Sequence, residues 1–285
     1  MGVVLALGAA IAYGLSDFIG GLVSRRTTPW PVALLAGVGG LVGAAVLALV
    51  VPGEPTRADL LWGAASGLGS GTGSAFLYRG FATGRMGVVA PVSAVGAAVV
   101  PVVVAVATGE RPSSLVAIGI VLALPGIWFV ARGPEATLDP AAPPERDAPA
   151  ASGLVDGALA GLGFGVLFVA LGQVPDGAGF WPLATGQATA LLSIGVLATA
   201  LGASWVPTAR SEWWGAVAGV IATGAVLLFL LASQTDLLTV AAVLTSLYPA
   251  FTILLAAVVL HERIYRGQAA GLALCGAAVA LVAAG

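Results

Sequence analysis

Residues 109–119 read GERPSSLVAIG and residues 261–271 read HERIYRGQAAG. In each stretch a Glu-Arg pair is followed by a glycine nine residues after the glutamate: Glu110, Arg111 and Gly119, then Glu262, Arg263 and Gly271. The shared offset of 152 also pairs Ala90 with Ala242, Ser93 with Thr245 and Thr83 with Thr235. An offset of 151 sets Tyr13-Gly14 against Phe164-Gly165. Chance matches between apolar stretches are common, so the spaced Glu-Arg and Gly carry the argument. The chain holds two copies of one unit.

Composition says what the unit is made of. Of 285 residues, 59% are hydrophobic and only 8% charged, whereas a soluble domain carries roughly 25% charged residues. A bilayer core needs about 20 apolar residues of helix. Breaks at charges, prolines and glycine-rich turns predict spans near 3–22, 32–51, 59–78, 87–107 and 113–131, then 153–172, 181–200, 212–231, 238–260 and 267–284. A strand reading would need alternation and closure into a barrel. Between the fives lies 132–152, with Pro134, Pro140, Pro143, Pro144 and Pro149 among Glu135, Asp139, Glu145, Arg146 and Asp147. Such a segment cannot bury itself and reads as an aqueous linker. The expected organisation is a five-helix repeat over 1–131, the linker 132–152 and a second five-helix repeat over 153–285.

Five is odd, so the second copy enters the membrane from the opposite side, as in inverted-repeat transporters. The arginines give an independent check, and they are the only basic side chains besides His261, since lysine is absent. The loop after the first span has Arg25 and Arg26, while its counterpart has none. Arg57 is matched by Arg210, but Arg79 and Arg85 face Leu231 and Leu237, and Arg111 alone faces Arg263 and Arg266. Nine arginines fall in the odd-numbered loops and linker, against two in the even-numbered loops. The positive-inside rule then predicts a cytoplasmic linker with both termini outside.

Several chemistries fall away. A lone Cys275 allows no internal disulfide, and with a single His261 it leaves no basis for a Cys/His metal site. A net charge of −2 gives no reason to expect nucleic acid. No cofactor is indicated, and no nucleotide-binding loop is present for ATP to drive transport. The start of the chain lacks the basic region of a secretory signal, so the first apolar run is expected to remain as a span.

At the Glu-Arg…Gly residues the chain resembles the drug/metabolite transporter superfamily, EamA type. Members of that family carry two five-helix repeats with an acidic residue ending each fourth helix, then glutamine at six, glycine at nine and often glycine at sixteen. Glu110, Gly119 and Gly126 match in the first copy, with Val116 at the glutamine position. Glu262, Gln268 and Gly271 match in the second, where Ala278 replaces the last glycine. Pro249 fits the family's proline in the ninth helix, but its counterpart is Ala97, with prolines at Pro91 and Pro101 instead. The resemblance implies transport of amino acids, drugs or varied metabolites. It also implies, for several members, both termini in the cytoplasm, opposite to the arginine count.

Asp17 is the one ionisable residue expected well within a span. A carboxylate there is costly to keep charged and marks a functional site by default. Tyr13 lies one turn away on the same face. Together they could bind a proton or a cationic substrate group; the alternative is an ion pair with Arg25, Arg26 or another loop arginine. Ser66, Ser70, Ser74 and Tyr78 draw a polar stripe down the third span, beside a small-residue stripe of Gly63, Gly67 and Gly71. In the second copy the polar stripe becomes Ala218, Ala222, Val226 and Leu230. That asymmetry favours a cavity, against serines that merely satisfy helix carbonyls. The seventh span adds Thr185, Gln187, Thr189 and Ser193, and the ninth adds Thr245, Ser246 and Tyr248 beside Pro249. Pro249 frees a carbonyl and can kink its helix, as a gate or only a bend. Tyr78-Arg79 could meet an anionic group or anchor the interface. Glu110 and Glu262 are expected to be structural, capping the next helix or pairing with Arg111 or Arg263. Six tryptophans (Trp30, Trp62, Trp181, Trp205, Trp213 and Trp214) fall near span ends, as an aromatic belt would.

These observations predict an all-α integral membrane protein of a cell's inner membrane, surrounded by lipid and existing as a monomer or homodimer. Its expected work is secondary export of a small metabolite or drug by alternating access, either proton-coupled or by facilitated diffusion. Two rivals are a membrane-embedded enzyme on lipid-linked substrates and a non-transporting subunit. The enzyme would need clustered carboxylates or a His/Cys nucleophile, and neither is evident.

Overall fold

Lipid offers no partner to a bare peptide group, so a chain this apolar resolves into helices. The computed structural model describes residues 1–24, 27, 29–82, 86–131, 150–235, 237–261 and 263–285. The first repeat comprises α1 (Gly2–Ser24), α2 (Pro29–Val50), α3 (Arg57–Ala82), α4 (Met86–Ala107) and α5 (Ser114–Ala131). The second comprises α6 (Ala150–Leu171), α7 (Trp181–Ala200), α8 (Trp214–Thr235), the pair α9 (Leu238–Thr245) and α10 (Tyr248–Val259), and α11 (Arg266–Ala284). The pair shares one span, so ten spans result. Eight are long and apolar enough to cross a membrane by composition alone. α3 falls below that threshold because serines, glycines, Arg57, Asp59 and Arg79 dilute its apolar residues. The proline-rich stretch 132–149 and Glu262 lie outside the described residues.

Pro249 explains the divided ninth span. It has no N–H to donate and its ring excludes the carbonyl four residues back. The helix stops at Ser246-Leu247, where the Leu247 N–H turns to the Leu244 carbonyl at 3.2 Å, and restarts at Tyr248. The expected kink is therefore a break.

Helix directions establish the inversion. Along the α3–α7 contact, Gly63 meets Pro182, Gly67 meets Gly186 and Gly71 meets Ala190, so both chains run the same way. α2 and α8 also run parallel, Val32 meeting Gly215 and Ala36 meeting Gly219. α3 and α6 run antiparallel, with Gly69 on Gly163 and Gly73 on Ala160. α2 and α3 are joined by a short loop and point opposite ways. Since α7 is the counterpart of α2 yet parallel to α3, the second repeat is inverted. The packing obeys the same exchange. α3 rests on α6 and α7 as α8 rests on α1 and α2, and α5 pairs with its own counterpart, α11. Most contact is between the repeats, not within them. Glycine makes it close: a Cβ on Gly71 would stand 2.6 Å from both the Ala190 carbonyl oxygen and Ser193 Cβ.

Polar caps repeat as well. Asp59 accepts the Thr56 N–H at 2.8 Å before α3, and Glu212 accepts the Ala209 N–H at 2.8 Å before α8. Before α5 the Ser113 hydroxyl accepts from the Val116 N–H, whereas before α11 the Gln268 side chain accepts from the Tyr265 N–H. Each copy keeps a different half of one capping box, which accounts for Val116 standing where the second copy has Gln268. Glu110 corrects an expectation. It caps neither the next helix nor pairs with Arg111, whose guanidinium donates to the Val106 and Glu110 carbonyls. Its carboxylate instead accepts the Leu238 and Thr239 N–H groups at 2.7 and 3.1 Å, capping α9 of the other repeat.

Two further expectations change. Asp17 is not the only carboxylate inside a span, because Asp156 lies within α6 and is 3% exposed. It takes the Arg79 guanidinium, whose Nε donates at 2.9 Å, and that arginine also lies over the Phe76 ring. The anionic group that meets Arg79 is therefore internal. Trp30 does not join the belt; it is buried with Ala33, Ala75, Ile194 and Ala198, while Trp62, Trp181, Trp213 and Trp214 are exposed.

Two stability tests follow from these contacts. Glu110→Ala should cost about 1–2 kcal/mol, the worth of a lost cap, read as a lower thermal midpoint in detergent, with Arg111→Ala near wild type. Arg79→Leu alone should cost about 3 kcal/mol by stranding Asp156. The double variant Arg79→Leu/Asp156→Leu copies the leucines at the repeat-related positions, Leu231 and Leu5, and should recover most of that loss in the same melt.

Candidate functional site

The face of α1 that carries Asp17 is set by helical spacing. Ala6, Ala10, Tyr13 and Asp17 lie at intervals of four, three and four, hence on one side. Ala6 and Ala10 are 0% exposed, packed inside the bundle. The lipid side is marked instead by Val4, Ile11 and Leu22, which are 69%, 50% and 36% exposed. Asp17 is nonetheless exposed. Asp17 therefore sits on the inward side of α1, away from its lipid-facing residues. Seven residues separate Asp17 from the end of α1, which places it roughly 10 Å along the helix from that end. This is the end where α5 finishes and α6 begins, here termed the linker end.

The broken span completes this part of the site. Tyr13 and Tyr248 rings lie 6.2 Å apart at 56°, and Asp17 is within electrostatic reach of both phenols. Tyr248 also bonds the side chain of Ser93 from α4. α1 comes this close to α10 because residue 14 is glycine: a Cβ there would meet Phe251 Cβ at 2.7 Å. The Tyr13 hydroxyl and Ser246 Oγ are buried without a hydrogen-bond partner. Orphaned hydroxyls cost about 1–3 kcal/mol each and are expected beside a ligand or water site. Thr245, by contrast, is fully buried and turned to the Ala6 carbonyl, so it belongs to helix packing.

A second polar group lies between α3 and α7. On α3 the serines fall between the glycines that touch α6 (Gly69, Gly73) and those that touch α7 (Gly63, Gly67, Gly71), so the stripe faces inward. Ser66 is buried and donates to the Gly63 carbonyl at 2.7 Å, while Ser70 and Ser74 are half-buried. Ser66 and Ser70 line a cleft with Gln187, Leu167 and Val226 whose free volume is about 10 Å³, room for one water. Thr185, Thr189 and Ser193 of α7 are engaged with backbone carbonyls. The Tyr78 side chain lies outside the described residues. Asp17, Tyr13 and Tyr248 thus come together in one place, and Ser66, Ser70 and Gln187 in another.

Repeat symmetry identifies what fills the opposite, terminal end. Phe168 is the counterpart of Asp17 and Phe229 that of Leu77. Both phenylalanines are buried, with ring centroids 4.5 Å apart. Leu171, Leu230 and every residue of α9 are buried with them. One end of the bundle carries a carboxylate on an inward helix face; the same place in the inverted copy is packed with apolar side chains. Sequence reasoning missed Asp156, Ser93 and this phenylalanine pair. Reading Phe168 as the partner of Asp17 at offset 151 would have found the last.

Comparison with known proteins agrees with this architecture. No curated protein matches the sequence. One solved crystal structure superposes with a TM-score of 0.73 at 18% identity, covering 99% of this chain and 98% of that one, a likeness of fold. The EamA-like transporter family matches residues 1–132 and 151–284, so the two inverted five-helix repeats described above make this chain a member of that family.

Proposed function

We propose that the protein is a secondary carrier that exports a small metabolite or drug by alternating access, with Asp17 as the group that exchanges a proton for substrate. The observation that most supports this is the unequal sealing of two symmetry-related ends. A pseudo-symmetric pair of repeats can take up two mirror-related conformations. One has the linker end open and the terminal end shut on Phe168 and Phe229. In the other, Leu77 closes where Phe229 closed and the terminal end opens. On the arginine distribution the linker end faces the cytoplasm. The open end would then load from inside, which is the direction of export.

A Cys275→Ala background makes this directly measurable. Asp17→Cys should react with a membrane-impermeant thiol reagent from the linker side, while Phe168→Cys should be protected until transport is running and then react from the terminal side. Protection of Phe168→Cys under every flux condition would remove alternating access. Reconstitution with a mixture of cell metabolites should give saturable counterflow absent from empty vesicles, and no flux at all would favour a non-transporting subunit. Tags on each terminus should be accessible only from outside the cell; access only from the cytoplasm would reverse the orientation and with it the loading side.

A further inference from the structure

Around Asp17 the charges of the described residues do not balance. Asp17 forms no salt bridge among the described residues. The described arginines stand at helix ends or in loops, at Arg57, Arg111, Arg210, Arg263 and Arg266, and Arg79 is committed to Asp156. No group of three metal-ligating side chains occurs among the described residues either. A carboxylate at this depth is neutralised by a proton or by a positive partner, and the described residues offer no such partner, so a cationic ligand could take that place.

The walls narrow the choice. Tyr13 and Tyr248 present two tilted rings beside the carboxylate, and a cation within about 6 Å of a tyrosine ring is attracted to its face. The partnerless Tyr13 hydroxyl can accept an N–H. A zwitterionic amino acid would satisfy Asp17 but bring a second carboxylate with no cation in the described walls. An anionic metabolite would meet only repulsion.

We infer that the Tyr13–Asp17–Tyr248 cluster is a binding site for organic monocations, namely amines with an aromatic or aliphatic body and no carboxylate. The inference rests on the carrier reading above and specifies its substrate class.

Three probes sharing one body test it: phenethyltrimethylammonium, phenylalanine and phenylacetate. The quaternary probe is permanently charged and does not leak through lipid. Binding is measured on purified protein in lipid nanodiscs and flux in proteoliposomes. The cation should bind at least tenfold more tightly than phenylalanine and show saturable flux, with phenylacetate inert. Asp17→Asn should lose at least tenfold in cation affinity, Asp17→Glu should restore most of it, and Tyr248→Leu should lose three- to tenfold. If Asp17→Asn fails to fold, as judged by elution and melting, Tyr13→Leu carries the same test with a three- to tenfold loss. Cation affinity unchanged in folded Asp17→Asn, or phenylalanine preferred over the cation, would overturn the assignment while leaving the carrier intact. Binding of none of the three also overturns it, and the carrier reading then stands or falls separately on counterflow with the metabolite mixture.

Discussion

Each repeat of this bundle lacks the surface it needs to be complete, and the other repeat supplies it. In lipid there is no hydrophobic drive between helices, so association depends on close packing and on polar groups that find partners. The parallel contacts of α3 with α7 and of α2 with α8 provide the packing, through glycines set against carbonyl oxygens. Glu110 provides the polar link by leaving its own repeat to cap α9. The two orphan donors it satisfies would otherwise face a low-dielectric interior.

A symmetric scaffold with unequal linings gives two ends of different character. Where the first repeat places Asp17, the second places Phe168; where it places Arg79 and Leu5, the second places Leu231 and Asp156. The helix crossings are alike, yet one end carries a carboxylate and the other is filled by two phenylalanine rings tilted at 36°. The Arg79–Asp156 pair joins α3 to α6 at the linker end, and leucines stand at the equivalent positions at the terminal end. The ion pair adds a polar tie to the glycine-mediated packing of α3 on α6.

Much of this was legible in the sequence because its signals were local. Span count follows from hydropathy, and inversion follows from an odd repeat and uneven arginines. The shared face of Asp17 and Tyr13 follows from their spacing, although its inward direction needed the burial of Ala6 and Ala10. What escaped was whatever depended on the partner repeat. Glu110 lies beside Arg111 and ahead of α5 in sequence, so a local reading gave it local partners, while its actual partners are more than 120 residues away. Asp156, inside the expected sixth span, passed unnoticed because its arginine is 77 residues distant. The surroundings of the serine stripe escaped for the same reason. Ser66 donates to its own helix, yet it and Ser70 border the same cleft with Gln187, and only the position of α7 reveals that.

The break at Ser246-Leu247 links the asymmetry to the site. An unbroken helix would leave no gap in its hydrogen-bond ladder at this depth. Pro249 opens one beside Tyr248, and the Ser246 hydroxyl there is left without a partner. Irregular backbone within the bilayer is tolerated only where it is buried in protein or borders a cavity, and here it lies between the wholly buried α9 and the more open α10. If Asp17 holds a monocation, a proton competes for the same carboxylate, since the described walls offer no second acid to accept it. Loading a cation from one side then requires the proton to leave, and its return on the other side displaces the cation. One carboxylate shared by cation and proton is enough for such an exchange on the proposed reading, provided that the empty, ionised carrier does not change sides.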